Sequence, residues 1–458
     1  MGRAGMTYRA GTAPIHLLVG LAVRPAASHR RLGRVEIGGS AVVDLRGLDE
    51  LIAALGSAGY RTLGPVVRND TIVHGSLTGV DALPSGFHDH QSPGHYDLVH
   101  CDDGELFGWA VGPASFKSEL FPPHQIVWKA STAPDGFSVE EPSEEARPVA
   151  MVGARPCELA GLEVLDRVLG TRGADPVYSR RRETAFVAVV ECGAPAADCF
   201  CTSMGTGPEA SGAFDLALTE LYDPPDRLDP DNPMPAAGHR FLVNVGSELG
   251  SELLDKISHH AAGEQDLARR QAILATARKR VGRFLDTEGL ASILERNIES
   301  RRFEEVAERC LACGNCTMVC PTCFCSDIRD ASDLDGGARH ERTWSSCFDL
   351  EHSYLHGGAI RRSVSSRYRQ WLTHKLSTWW EQFGTSGCVG CGRCITWCPV
   401  GIDLTAEAAA IRASDGASHG RTPQAFVRGA ALATSTIGAQ AMSSGNDPDT
   451  PPISEVPR

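Results

Sequence analysis

The sequence lacks several features that would place it in common functional classes. No run approaches the roughly 18 apolar residues that a membrane-spanning helix needs. No G-x-G-x-x-G segment lies at a predicted strand–helix junction, and no P-loop occurs. Positive charge is not in excess, because the formal charge is −13 at neutral pH. The composition, 42% hydrophobic and 22% charged over 458 residues, is that of a folded globular protein. The acidic balance argues against nucleic acid as the main partner.

The pattern of apolar residues predicts a multidomain α+β protein. Apolar runs at 149–153, 185–190 and 241–245 alternate with helical spacing over 158–169, which is typical of an α/β domain. Further predicted elements are a helix at 48–55, strands at 96–100 and 106–111, an ambiguous segment at 214–221 and an amphipathic helix over 267–285. The predicted regions are an extension (1–34), an α/β domain (35–246), a mostly helical ferredoxin-type domain (247–415) and a flexible tail (416–458).

The predicted N-terminal extension contains an apolar stretch at 15–23, preceded by Arg3 and Arg9. This arrangement weakly resembles a secretory signal. A secreted protein would fold in an oxidising compartment, which does not suit the closely spaced cysteines described next. We therefore expect a cytoplasmic protein with a disordered start.

Cysteine is the most informative residue of the sequence. Sixteen cysteines occur, and eight of them form two copies of C-x2-C-x2-C-x3-C-P, over residues 310–321 and 388–399. This pattern is typical of bacterial ferredoxins, in which three closely spaced thiolates bind one 4Fe–4S cluster and the fourth binds the other cluster. A zinc ribbon also uses C-x2-C pairs, but it needs only four ligands and does not account for two identical motifs. The spacing therefore predicts two 4Fe–4S clusters.

The ferredoxin pattern sorts the eight cysteines into two crossed groups. Set 1 consists of Cys310, Cys313, Cys316 and Cys398. Set 2 consists of Cys388, Cys391, Cys394 and Cys320. In each set the last-named cysteine comes from the other motif.

Four cysteines upstream form a third group. Set 3 consists of Cys157, Cys192, Cys199 and Cys201. Cys157 and Cys192 each follow a predicted strand, and parallel neighbouring strands would bring both to the same carboxyl edge of a sheet. Four thiols at that edge predict a third 4Fe–4S cluster, although only one residue separates Cys199 from Cys201. The alternative is a group of buried free thiols.

The long insert between the two motifs carries further cysteines and a basic segment. Cys323, Cys325 and Cys347 are three rather than four, so we predict that they have structural roles or support the ligands of a neighbouring cluster. The insert histidines, which we interpret as surface or core residues, are His340, His352, His356 and His374. The segment from Arg361 to Lys375 contains five cations and no acid. It is interpreted as a solvated helix face, a docking face for an acidic partner, or charge compensation for anionic clusters.

Several stretches together resemble a known family. They are residues 111–117 (VGPASFK) with 121–123 (FPP), 154–162 (ARPCELAGL), 199–201 (CFC), 310–325, 344–347 (WSSC) and 388–399. The combination is similar to the iron–sulfur beta subunit of soluble NAD(P)-linked nickel–iron sulfhydrogenases, and to the closely related iron–sulfur subunit of anaerobic sulfite reductase. The resemblance covers about residues 40–405.

The resemblance implies an electron-transfer subunit without catalytic residues of its own. Such a subunit passes electrons between a flavin subunit that handles NAD(P)H and the small and large nickel–iron hydrogenase subunits. The alternative is the equivalent subunit of a sulfite reductase or another flavin-linked reductase. The resemblance also implies a helical ferredoxin domain in which long helices separate the two motifs.

Overall fold

The computed structural model describes residues 34–133, 136–140, 147–172, 175–222, 238–334 and 336–415. The predicted extension with its apolar stretch at 15–23 falls before these residues, apart from Arg34, and the predicted tail at 416–458 falls after them. Among the residues described, no helix combines the length and apolar character needed to cross a membrane.

The described residues contain both strands and helices. The strands are β1 (Ser40–Asp44), β2 (Arg61–Val67), β3 (Ile72–Ser76), β4 (Phe87–Ser92), β5 (His95–His100), β6 (His124–Ala133), β7 (Gly136–Glu140), β8 (Val149–Ala154), β9 (Phe186–Val190), β10 (Leu216–Leu221), β11 (Arg240–Val245), β12 (His260–Ala261), β13 (Ser326–Ser332), β14 (Ala338–Trp344), β15 (Tyr354–Leu355) and β16 (Gly358–Ala359). The α-helices are α1 (Leu45–Ser57), α2 (Lys117–Leu120), α3 (Pro156–Leu165), α4 (Pro176–Glu183), α5 (Cys201–Met204), α6 (Glu248–Leu254), α7 (Glu264–Arg280), α8 (Leu290–Arg296), α9 (Arg302–Ala307), α10 (Asn315–Met318), α11 (Val364–Thr373), α12 (Trp379–Phe383), α13 (Arg393–Thr396) and α14 (Leu404–Ser414). Wider π-helical turns follow α3 at Asp166–Arg172 and α11 at His374–Thr378.

An eight-stranded sheet forms the centre of the N-terminal part, in the order β12-β1-β11-β10-β9-β8-β2-β3. Its middle strands β2, β8, β9 and β10 are parallel, and the outer pairings are antiparallel. Every residue of β8 and β9 is buried. Strands that are covered on both faces consist of continuous apolar runs, and for this reason the sequence pattern located β8 and β9 well.

Two hydrophobic cores lie on opposite faces of this sheet. Ala150 and Val152 of β8 pack with α1 and α6 on one face, while Val149 and Met151 pack with α3 on the other. This division follows from the alternation of side chains along a strand. The second core also contains Val389 and Cys391 of the downstream ferredoxin motif. The α3 face of the sheet therefore supports the cysteine-rich region directly.

A second sheet connects parts of the chain that are far apart in sequence. Its order is β13-β14-β6-β7, and β14 pairs with β6 from Ala338↔Ala130 to Thr343↔His124. The insert between the ferredoxin motifs thus contains a β-hairpin that extends a sheet begun some 200 residues earlier. Residues 247–415 combine this hairpin with several helices.

The strand predicted at 106–111 is wrong, because no strand forms there. The backbone N–H groups of Leu106 and Phe107 donate to the Glu220 carboxylate at 2.7 and 2.8 Å. The carbonyls of Phe107 and Ala110 accept from the Arg155 guanidinium at 3.0 and 3.1 Å. Buried side chains therefore satisfy the backbone groups that a strand partner would have satisfied.

Elsewhere the structure refines the predicted elements. The strands predicted at 96–100, 149–153, 185–190 and 241–245 are confirmed as β5, β8, β9 and β11, and the ambiguous segment forms β10. The helix predicted at 48–55 is longer, since Asp44 accepts from Gly47 N and begins it at Leu45. The domain boundary predicted at 246/247 falls inside the layer of the large sheet, because β12 pairs with β1 and α7 packs against β10 and β11.

Candidate metal centres

The two ferredoxin motifs fold into the same local turn. Ala312 and Gly390, which occupy the same motif position, have φ values of 52° and 66°, and Gly314 and Gly392 have values of 74° and 78°. These left-handed conformations bend each motif sharply and favour glycine. In each motif an N–H two residues after the first cysteine approaches that cysteine's sulfur, at 3.4 Å for Ala312 N and 3.5 Å for Gly390 N. The short helices α10 and α13 then follow at equivalent positions and contact each other.

The four cysteines of set 1 line one cavity. Cys310, Cys313, Cys316 and Cys398 surround it, together with Phe348, Tyr368 and Trp371. The turn that leads into Cys310 is anchored from α14, because Arg302 and Arg309 both form ion pairs with the buried Glu407. Cys313 is solvent-exposed. Set 1 is therefore the most accessible of the three predicted sets.

The set 2 cysteines lie close to one another, with Cys320 contributed by the upstream motif. Cys388 and Cys320 both influence the ionisation of Cys394, as does Cys391. A buried ammonium is in direct contact with this set, since Lys375 Nζ lies 3.2 Å from Cys320 Sγ and 2.9 Å from Gly387 O.

The ionisation of this contact pair follows from its charges. A hydrogen bond from Cys323 lowers the pKa of Cys320 well below its ordinary value. Burial acts in the opposite direction, and the Lys375 ammonium lowers the pKa further. Burial alone would lower the pKa of Lys375, but the neighbouring Cys320 thiolate, with a smaller contribution from Cys323, raises it well above its ordinary value. The surroundings of Cys320 therefore favour a thiolate, the form of cysteine that binds iron.

The set 3 cysteines converge at the carboxyl edge of the large sheet. Cys157 follows β8 in the first turn of α3, and Cys192 follows β9, the parallel neighbour of β8. All four cysteines of the set are buried and line one cavity, which Arg155 and Pro208 also line. The parallel arrangement expected from the sequence is thus present.

Phe200, the residue between Cys199 and Cys201, explains how two cysteines so close in sequence can both line one cavity. Phe200 is fully buried in the core of the ferredoxin region, and its N–H donates to Gly390 O at 2.8 Å. Helix α5 starts at Cys201 and turns the chain immediately afterwards. Both cysteines consequently reach the same cavity.

The three sets are contiguous. Cys391 of set 2 also lines the cavity of set 3, where Cys199 Sγ lies 3.7 Å from Cys391 O. Cys394 of set 2 also lines the cavity of set 1. Set 2 therefore lies between the other two, and the order along the row is set 3, set 2, set 1.

Buried arginines supply positive charge around set 3. The Arg155 side chain is 1% exposed, and its guanidinium donates to four backbone carbonyls. Arg393, also 1% exposed, pairs with buried Glu158 at 2.9 Å and donates a hydrogen bond to Cys391. The Arg393 charge therefore lies beside Cys391 of set 2 and Cys157 of set 3.

Four thiols of the three sets resist ionisation because they are buried. Burial raises the pKa of Cys201 to about 12 and that of Cys388 to about 12. Burial also raises the pKa of Cys199 and of Cys316 well above the ordinary value. Thiols of this kind become thiolates when bound metal supplies the compensating charge. The donor sets thus fit metal centres.

The separation of the sulfur atoms favours clusters over single metal ions. A tetrahedral zinc site with Zn–S bonds of about 2.3 Å holds its sulfurs about 3.8 Å apart. Within the described part of the chain, the one group of three ligand atoms that lie within 4.8 Å of one another is His88, Asp103 and Glu105. The cysteine sets are more open, as a cuboidal cluster requires because each thiolate binds a different iron.

Sequence reasoning did not identify the buried cations. Arg155 and Arg393 stand close to cysteines in the sequence, but nothing in the pattern shows that they are buried. The basic segment is not a uniform surface, since Arg367 is buried and bonds to Phe348 O, and Lys375 contacts Cys320. Of the three interpretations offered for this segment, the structure favours charge compensation at Lys375.

Comparisons with known proteins agree with this geometry. Residues 309–402 match the family described as a 4Fe–4S dicluster domain. The chain is similar to the sulfhydrogenase 2 subunit beta of Pyrococcus furiosus, with 34% identity over 256 residues, which is 55% of this chain and 71% of the relative. No solved structure gives a significant match.

The dicluster match spans both ferredoxin motifs, so the chain carries 4Fe–4S clusters. The likeness to the Pyrococcus protein extends over most of that relative's length. The chain therefore belongs to the family of sulfhydrogenase beta subunits, the iron–sulfur electron-transfer subunits of these hydrogenases.

Proposed function

We propose that this chain is a cytoplasmic relay that connects a flavin-containing, NAD(P)H-linked partner with the nickel–iron small and large subunits of a hydrogenase. We further propose that sets 1, 2 and 3 each bind one 4Fe–4S cluster. The observation that carries the proposal is the unbroken row of the three sets, in which each neighbouring pair shares a lining cysteine. A role in an anaerobic sulfite reductase has less support, because the relative belongs to a sulfhydrogenase.

When bound, 4Fe–4S clusters supply one-electron oxidation and reduction. The chain's own residues hold the thiols in place and keep water away from them. Sets 2 and 3 lie between the sheet and the helices of the ferredoxin region, whereas Cys313 of set 1 is exposed. We propose that one partner subunit covers the exposed side of set 1, where Leu311 is 65% exposed.

Paired substitutions test the crossed ligand sets. Cys310→Ser and Cys398→Ser should alter the same cluster, because both residues line the set 1 cavity. Cys388→Ser should alter a different one. Electron paramagnetic resonance of the reduced full chain distinguishes the signals. If Cys398→Ser instead changes the signal that Cys388→Ser changes, the crossed assignment is incorrect.

The relay is tested in the assembled complex with two assays. Cys157→Ser should strongly reduce hydrogen evolution driven by NAD(P)H, while hydrogen evolution driven by a reduced viologen, which can donate to the nickel–iron subunits directly, should remain. Cys101→Ser is the matched control, because Cys101 is exposed and distant in sequence from the sets. Full NAD(P)H-driven activity in the Cys157→Ser complex would remove set 3 from the path.

The isolated chain provides a complementary test. It should be reduced by dithionite, but it should neither evolve hydrogen nor reduce NAD(P)⁺. Stoichiometric flavin in the purified chain, or hydrogen formation by it, would contradict the relay.

A further inference from the structure

Three cysteines remain outside the three sets, and they line a cavity of their own. Set 4 consists of Cys323, Cys325 and Cys347. The cavity that they line is completed by Phe324, Trp371, His374, Lys375 and Trp379. The three thiols come from the loop after Cys320 and from the end of the β13–β14 hairpin, which the second sheet holds in place. A ligand group assembled from two separate segments is not a property of local sequence.

The positive charge around this cavity is unusual. Lys117 and Lys375 are each only 2% exposed. Lys117 Nζ lies 3.0 Å from Cys323 O, and Lys375 Nζ lies 3.2 Å from Cys320 Sγ. Within the described residues neither lysine forms an ion pair with a carboxylate. Buried ammonium groups require nearby negative charge. Set 2 can compensate Lys375, whereas Lys117 reaches the loop through Cys323 of set 4.

Two buried donors at the cavity also lack acceptors. Trp371 and Trp379 line it, and the indole Nε1 of each has no hydrogen-bond partner among the described residues. Indole N–H groups that are buried normally find a partner. The inorganic sulfides of a cluster are acceptors, and hydrogen bonds to cluster sulfur are a common feature of iron–sulfur sites.

A fourth candidate ligand, His374, lines the same cavity. The His374 Nε2 atom lies 3.0 Å from Gln382 Oε1. An imidazole that donates one N–H to a carbonyl oxygen has its other nitrogen, here Nδ1, available for metal. Histidine replaces cysteine as an iron ligand in some iron–sulfur proteins.

We propose that Cys323, Cys325, Cys347 and His374 bind an additional 4Fe–4S cluster beside sets 1 and 2. On binding, the three thiols lose their protons to solvent and coordinate iron as thiolates. The ligand atoms are not compact enough for a single zinc ion, because no three of them lie within 4.8 Å of one another. Cys347 neighbours Cys316 of set 1, and Cys323 neighbours Cys320 of set 2. The additional cluster would thus lie beside sets 1 and 2, and not at either end of the row of three sets.

Metal analysis of the full-length chain, reconstituted anaerobically, tests this proposal. The triple variant Cys323→Ser/Cys325→Ser/Cys347→Ser should contain about four fewer irons and four fewer sulfides per chain than the unmodified chain. Cys101→Ser is the control and should lose none. Unchanged iron in the triple variant, or about one zinc per unmodified chain that the triple variant lacks, would overturn the proposal.

Two further measurements distinguish loss of the additional cluster from indirect loss of the set 2 cluster. The double variant Cys347→Ala/His374→Ala leaves the Cys320 loop intact and should lose the same iron, with unchanged circular dichroism. Electron–nuclear double resonance of the reduced chain should show one imidazole nitrogen coupled to a cluster, and His374→Cys should abolish it while the iron content stays constant. A nitrogen coupling that survives His374→Cys, or its absence from the unmodified chain, rejects His374 as a ligand. None of these readouts needs partner subunits, so they stand independently of the relay.

Discussion

The two ferredoxin motifs share one sequence pattern and one local turn, yet they occupy different environments. Motif 1, residues 310–321, lies near the surface, where Leu311 is 65% exposed. Motif 2, residues 388–399, is packed against the loop that carries Cys199 and Cys201, and the equivalent residue Val389 is 3% exposed. The comparison teaches that the local pattern determines the turn around a cluster, whereas packing against distant segments determines where the cluster lies in the row.

The largest expected difference between the motifs concerns the residue before the third cysteine. Arg393 in motif 2 pairs with Glu158 in the interior, while the Asn315 side chain in motif 1 carries no charge and donates to Trp397 O. Arg393→Met should lower the free energy of unfolding by about 3–5 kcal/mol, because it leaves a buried carboxylate unpaired. Asn315→Ala should cost about 1 kcal/mol. Anaerobic urea unfolding of the full chain measures both.

A double variant sharpens this prediction. Arg393→Met combined with Glu158→Gln removes both charges and should recover much of the loss. Equal effects of Arg393→Met and Asn315→Ala would show that the two motifs are energetically equivalent after all.

The glycines of the two turns give the next largest contrast. A Cβ at Gly392 would lie 2.7 Å from the backbone oxygen of Asp198, whereas one at Gly314 would meet the Ser346 side chain, with Oγ at 2.9 Å and Cβ at 3.1 Å. Both positions have positive φ, which costs alanine about 1–2 kcal/mol at either one, so the contrast comes from the neighbouring atoms. Gly392→Ala should cost about 1–3 kcal/mol more than Gly314→Ala, because backbone cannot move aside as a side chain can. Thermal unfolding compares the two, and a larger effect at Gly314 would contradict the packing argument.

A smaller effect is expected from the cation beside set 2. Lys375→Met should lower the reduction potential of the set 2 cluster most, because the ammonium contacts Cys320 and favours the more negative reduced state. A charge-assisted hydrogen bond is worth about 1.5–3 kcal/mol, so the shift is at most roughly 60–130 mV for a one-electron couple. Redox titration followed by electron paramagnetic resonance measures it, with the exposed Arg362→Met as control. A shift of every cluster by the same amount would indicate a general structural change.

The smallest effect concerns the residue between the first two cysteines that has a left-handed conformation in both motifs. Ala312 has φ 52° at the position where motif 2 has Gly390. Ala312→Gly should stabilise the chain by about 0.5 kcal/mol, because relief of the left-handed strain slightly exceeds the added entropy of the unfolded glycine. Gly390→Ala should be clearly destabilising, since its Cβ would lie 2.6 Å from Phe200 O. Loss of stability in Ala312→Gly would show that this turn carries no strain.

The sequence by itself determined the parts that depend on neighbouring residues. The cysteine spacing identified both ferredoxin turns, because three thiols within seven residues can reach one cluster only through such a turn. Continuous apolar runs located β8 and β9, and the rule that parallel strands share a carboxyl edge brought Cys157 and Cys192 together before the structure was known.

The tertiary structure decided what depends on distant segments. It changed the segment at 106–111 from a predicted strand into a loop bound by Arg155 and Glu220. It buried Lys375 against Cys320 and paired the β14 hairpin with β6, which brought Cys347 close to Cys323. Local patterns do not encode these contacts, because whether a cation or a thiol is buried is determined by side chains that lie up to hundreds of residues away in the chain.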